Sequence, residues 1–167
     1  MHTKFEFGIV PLLAIVAGLA GPAAAGLNVV NGDFGDMEGL EKKGDGWHAG
    51  VPRGWRGAGG SYAVHATRGA TPPVCNPSTL GFLRQDVGVL DASADVTVAF
   101  DVSDPWKTNS ALVASILDAN LRELAQAEFE PGPRRELVAR GVPAGTRVVI
   151  AFRSEERRVG KECRSRW

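Results

Sequence analysis

Residues 82–103 read FLRQDVGVLDASADVTVAFDVS. The segment divides into a strand, a turn near Asp91-Ala92-Ser93, and a second strand. In the second strand Val96, Val98, Phe100 and Val102 share one face, and Thr97, Ala99 and Asp101 share the other. An apolar/polar period of two is that of a strand with one face buried and one exposed, as in antiparallel sheets. The expectation is that these two strands pair and that the rest of the chain stacks around them.

Downstream, Ala111–Ala119 and the residues to Glu130 are rich in helix formers, and Leu117, Leu121 and Leu124 have helical spacing. The surrounding strands and the proline break after Phe129 favour two strands joined at Asp118-Ala119-Asn120 instead. Arg134–Arg140 reads as a short strand and Val142-Pro143-Ala144-Gly145 as a turn. Thr146–Phe152 reads as a strand with Val148, Ile150 and Phe152 on one face. Upstream, Leu27–Phe34 reads as a first strand entering a turn at Asn31-Gly32-Asp33, whose residues supply positive φ or bond back to the main chain. Residues 35–60 hold nine glycines and read as loop. Ser61–Thr67 alternates as a short strand. Arg68–Thr79, with three prolines, reads as a loop and not a central strand. Short strands at regular spacing, separated by Gly, Pro and Asp turns, indicate a sandwich or jelly roll. No repeat of solenoid period occurs.

The two ends read differently from the body. Residues 1–25 combine a short positive start, an apolar run from Phe7 to Ala20, and Ala23 and Ala25 in A-x-A spacing. That is the pattern of an export signal cleaved before Gly26. The apolar run is short for a bilayer span and is interrupted at Gly21-Pro22. The mature fragment is therefore expected to carry no membrane span and to lie outside the cytoplasm: extracellular, periplasmic or on the cell surface. At the other end, RSEERRVGKECRSRW (residues 153–167) has no apolar period. It resembles, over all its residues, the in-frame translation of a common sequencing-library adapter. The alternative is a basic tail for nucleic-acid or membrane contact. On the adapter reading, the domain spans residues 26–152 and is truncated before its last strand. Cys75 and Cys163 could pair in an exported chain, but an adapter-derived Cys163 leaves Cys75 as a lone thiol.

Charge narrows the partner class. The chain carries 19 basic and 19 acidic residues, but residues 26–152 hold 12 basic and 15 acidic. A mildly acidic body argues against nucleic acid, whose phosphates require a basic face.

Three short motifs stand out in the body: Asn31-Gly32-Asp33-Phe34, Pro52-Arg53-Gly54-Trp55, and Leu83-x-Gln85-x-Val87 ahead of the alternating strand. Together with Pro143-Ala144-Gly145-Thr146 before a valine-rich strand, they resemble the galactose-binding-like jelly rolls of exported bacterial proteins and carbohydrate-binding modules. The resemblance covers roughly Leu27–Phe152. It implies an antiparallel β-sandwich, a Trp55 that plugs the sandwich, and a structural calcium near the first strand and turn. By that analogy Asn31 and Asp33 would supply part of a calcium site. Calcium needs six or more hard oxygens, so a plain turn with solvated side chains is the competing reading.

Aromatic residues are the other candidates. Trp47, Trp106 and Tyr62 could stack on the C–H face of a sugar, and the same residue types also fill cores and edges. Trp47 and Trp106 fall in loop-like sequence, where binding residues concentrate. His48 and His65 have no metal-ligand spacing, and Cys75 has no histidine nearby in sequence to lower its pKa. Neither G-x-S-x-G nor G-x-x-x-x-G-K-[ST] occurs. The reading is an exported, non-catalytic ligand-binding module with a glycan as ligand. A structural or surface-display domain is the alternative, and a hydrolase fragment comes third.

Overall fold

The computed structural model describes residues 14–18, 26–44, 46–58, 62–65, 74–77, 82–102 and 111–155. Twelve strands run through them in three antiparallel sheets. They are β1 (Ala14–Gly18), β2 (Glu41–Gly44), β3 (Trp47–Ala49), β4 (Arg56–Ala58), β5 (Tyr62–His65), β6 (Val74–Pro77), β7 (Phe82–Val89), β8 (Ala94–Val102), β9 (Ala111–Leu117), β10 (Glu123–Phe129), β11 (Gly132–Val142) and β12 (Arg147–Glu155). No helix among the described residues is long and apolar enough to cross a membrane.

The alternation read in residues 94–102 is the alternation of burial. Val96, Val98, Phe100 and Val102 are buried, and Thr97, Ala99 and Asp101 are half-buried on the opposite face. The pairing of this segment differs from the expectation. β7 belongs to a five-stranded sheet of order β10-β9-β12-β7-β4, and β8 to a three-stranded sheet of order β1-β8-β11. Asp91-Ala92-Ser93 therefore links two layers instead of closing a hairpin. Both strands have an apolar face, and placing them in opposite layers turns those faces toward one another. Leu83 and Val87 of β7 join Val96, Val98 and Phe100 of β8 in one core with Leu112, Ile116, Val148, Ile150 and Phe152.

The link is held by the corresponding link on the neighbouring strands. β8 pairs with β11 and β7 pairs with β12, so the β11–β12 turn crosses the layers beside the β7–β8 crossing. The Leu90 amide donates to the Thr146 carbonyl at 3.0 Å, and the Gly145 amide donates to the Leu90 carbonyl at 2.7 Å. Ala144 N–H also donates to Ser93 Oγ at 3.1 Å. These bonds satisfy backbone groups at the corner, and Leu90 itself is buried.

Residues 111–130 form two paired strands, as expected, with Asp118 organising the turn. Its Oδ1 accepts the amides of Asn120 (2.7 Å) and Arg122 (2.9 Å), and Leu121 takes φ +62°. Burial in the sheet outweighs helix propensity here: β9 supplies Leu112, Ala114 and Ile116 to the core. β12, central in its sheet, is buried on both faces from Val148 to Phe152, which explains its continuous apolar run.

A line of aromatic rings threads the core. Centroids of Phe34 and Trp55 lie 5.3 Å apart, Trp55 and Phe152 6.0 Å, Phe152 and Phe100 5.2 Å, and Phe100 and Phe129 5.0 Å. Trp55 is thus a packing residue, as the resemblance implied. Its Nε1–H donates to the Asn31 carbonyl at 3.1 Å, which removes the cost of burying an indole donor.

Four further readings are corrected. Leu27–Phe34 is not a strand: it runs beside β7 with one ladder-like bond, Asn28 N–H to Val87 O at 2.7 Å, and then turns with Asn31 and Phe34 at positive φ. Residues 68–79, read as loop, include β6, which is the terminal strand of the four-stranded sheet β2-β3-β5-β6. A terminal strand is where proline is tolerated in a sheet, since one side of its backbone has no neighbouring strand to bond. Residues 35–60, read as loop, include β2, β3 and β4. Ala14–Gly18 pairs antiparallel with β8 from Asp95 to Ala99 and covers backbone groups that would otherwise form an open edge. Finally, β12 continues through Arg153, Ser154 and Glu155, opposite Val113, Leu112 and Ala111, so the adapter-like segment begins inside a strand.

Candidate functional site

The sheet parity that sends Leu83, Gln85 and Val87 into the core sends Arg84 and Asp86 to the outer face of the five-stranded sheet. On the next strand, Val148 and Ile150 face inward, so Arg147 and Val149 share that outer face. On β4, Arg56 stands directly opposite Arg84 in the ladder. The three arginines thus come together from positions far apart in the chain, at an open cleft of about 200 Å³. Its apolar portion is Val149 from β12, with Ala119 and Leu121 from the β9–β10 turn.

The charges in this cleft are unbalanced. Among the described residues, three arginines and one carboxylate, that of Asp86, line it. Asp86 Oδ2 accepts from Arg147 Nη1 at 2.7 Å, and its Oδ1 accepts the Gly88 amide at 3.1 Å. Asp86 is therefore committed to Arg147 and to its own strand. The Arg84 guanidinium lies 5.0 Å from the centroid of the Phe82 ring, a cation–π placement that orients it without neutralising it. Among the described residues, no carboxylate forms an ion pair with Arg84 or Arg56. Like charges directly opposite each other in a ladder destabilise the pairing.

Leu121 adds a second departure from ordinary packing. It is 48% exposed and sits at φ +62°, a conformation that costs free energy for a side chain of its size. The turn that holds it is rigid, with both Asp118 bonds described above and the Leu121 amide donating to Asp118 O at 3.0 Å. An exposed apolar side chain is thereby presented at the rim of a basic cleft.

Of the aromatic residues singled out from sequence, Trp47 lies on a different sheet. Trp47 is half-buried on β3, opposite His65 of β5. Tyr62 lies on β5, three positions from His65; its side chain lies outside the described residues. Trp106 lies outside the described residues. Trp47 is not among the described residues that line the arginine cleft. His48 Nδ1 lies 3.3 Å from the Gly46 carbonyl. The side chains of His65 and Cys75 lie outside the described residues.

Asn31 and Asp33 are engaged in shaping their loop. Asn31 Oδ1 accepts the Asp36 amide at 2.9 Å, while its Nδ2 donates to the carbonyls of Asp36 (3.0 Å) and Arg53 (3.3 Å). Asp33 Oδ1 accepts the Gly35 amide at 3.1 Å. Among the described residues no group of three or more His, Cys, Asp or Glu side chains could hold a metal ion.

The three motifs behind the family resemblance converge at one place, and that place is structural. Phe34 stacks on Trp55, Trp55 donates to Asn31, and Gln85 reaches both Val30 and Gly54. The arginine cleft had no counterpart in the sequence reading. The one signal that could have found it is the polar side of the alternating segment 82–89, which carries Arg84 and Asp86.

The chain matches no protein-family model, no curated protein and no solved structure.

Proposed function

We propose that this chain is an exported, non-catalytic ligand-binding module of galactose-binding-like jelly-roll type, with a glycan as ligand. The observation that carries the reading is the cleft on the outer face of the five-stranded sheet. It combines oriented guanidinium donors with an apolar surface on a rigid scaffold, the usual make-up of a small-ligand site. The non-catalytic half of the proposal is supported by the same geometry. Glycoside cleavage in its common form uses two carboxyl groups flanking the bond. Among the described residues the cleft offers one, Asp86, and Arg147 holds it in an ion pair.

The test is calorimetric titration of the purified chain with a panel of neutral and acidic oligosaccharides, paired with a search for sugar release by product analysis. Saturable binding without release is the expected result. Absence of binding across the panel would remove the module reading and leave a structural or display role. Sugar release would move the chain among the hydrolases.

A further inference from the structure

We infer that the cleft formed by Arg56, Arg84, Arg147 and Leu121 recognises a hexuronate residue: a pyranose whose carboxylate meets the arginines while its C–H face lies on Leu121 and Val149. The inference rests on the module reading and adds the ligand's chemical class. Three observations carry it.

The first is the uncompensated charge. Arg56 and Arg84 are direct cross-strand partners and neither forms an ion pair among the described residues. A sheet gains nothing from two facing guanidinium groups, whereas a carboxylate between them would turn a repulsive pair into a fork of charge-assisted hydrogen bonds. The second is the way the groups are held. Arg84 is oriented on Phe82, and Arg147 is oriented by Asp86, so less side-chain entropy is lost on binding. The third is Leu121, 48% exposed and at positive φ, which with Ala119 presents an apolar surface above the buried Val149 that also lines the cleft. A simple inorganic anion would use the arginines and leave this apolar surface wet. A neutral sugar would use the surface and leave two charges unmatched. A uronic acid matches both features in one ring, and about 200 Å³ suits a unit of that size.

The experiment titrates the full chain with oligomers of galacturonate, glucuronate and mannuronate. The matched neutral oligomers of galactose, glucose and mannose, and free acetate and sulfate, serve as controls. Binding is followed calorimetrically and by the arginine Nε–H resonances, since no tryptophan is among the described residues that line the cleft. At least one uronate oligomer should bind at least about tenfold more tightly than its neutral counterpart and than either free anion, and rising salt should weaken it.

Two variants divide the contributions. Arg56→Glu should reduce uronate affinity at least about tenfold without lowering the unfolding midpoint, because it places opposite charges across the ladder. Leu121→Gly should weaken the uronate oligomer while leaving any weak acetate response unchanged. Equal binding of neutral and acidic oligomers, or uronate binding indifferent to Arg56→Glu, would overturn the inference while the module reading stood. Acetate or sulfate binding as tightly as the uronate would identify an adventitious ion only and overturn it as well. No binding by any oligomer would overturn both.

Discussion

The carboxamide of Gln85 closes a two-way bridge to the backbone of Val30. Oε1 accepts the Val30 amide at 2.7 Å and Nε2 donates to the Val30 carbonyl at 2.8 Å, with a second donation to the Gly54 carbonyl at 2.9 Å. Gln85 is 3% exposed and is the buried polar residue of the described core. Its side chain acts as a short stretch of strand. It gives residue 30, which lies in no ladder, the donor and acceptor that a neighbouring strand would have supplied.

Gln85→Leu is therefore expected to destabilise the chain by about 2–4 kcal/mol, since it strands one amide and two carbonyls on partly buried loops. Gln85→Glu should be at least as harmful, because a carboxylate can still accept from Val30 but cannot donate to either carbonyl. Urea unfolding checks both. A fall in midpoint for Leu with no fall for Glu would contradict the bridge.

Phe100 lies between Phe129 (83° between ring planes) and Phe152 (70°). Truncation to Ala should cost about 3–5 kcal/mol through lost burial and an unfilled cavity. Phe100→Leu should cost clearly less, because it keeps much of the volume. Thermal unfolding of the two variants side by side provides the measurement. Equal losses would mean that the ring contacts, and not the retained volume, carry the stabilisation.

Gly88 adopts φ +128°, and a Cβ there would collide with the Gly26 carbonyl. Gly88→Ala should destabilise by more than about 1 kcal/mol, the exchange being favourable only where an L-residue fits the backbone. Amide hydrogen exchange should show the loss concentrated in residues 26–30 and β7. A uniform loss of protection across both layers would locate the damage elsewhere.

Leu121→Gly is expected to leave stability unchanged or raise it by up to about 1 kcal/mol, since glycine adopts the left-handed conformation without strain. Chemical denaturation reads the sign. A clear loss of stability would show that Leu121 packs into the fold and is not presented to solvent.

A chain that starts at Gly26 lacks β1 and bares the β8 edge from Asp95 to Ala99. Open edges pair with other chains, so this form should self-associate more than the full chain, as seen by sedimentation velocity. Thr97→Lys should reverse that association. Equal sedimentation of the two forms would indicate that the edge is not accessible.

The arrangement of the core was legible in the chain because side-chain parity is a local property. Once residues 94–102 are extended, alternate positions must face opposite ways, and apolar content says which way is inward. The same rule places Val148, Ile150 and Phe152. Strand partnership is not local, because any apolar-faced strand can pair with several others at similar energy. β7 pairs with β12 and not with β8 because opposite layers let both buried faces share one core, a benefit visible only when all the strands are assembled. The basic cleft was hidden for the same reason. Arg56, Arg84 and Arg147 each read as an ordinary surface charge, and only the ladder of β4, β7 and β12 sets them side by side. Likewise Gln85 reads as one polar residue among alternating apolar ones. Its partners, Val30 and Gly54, lie 55 and 31 positions away, a distance that folding closes and local pattern does not encode.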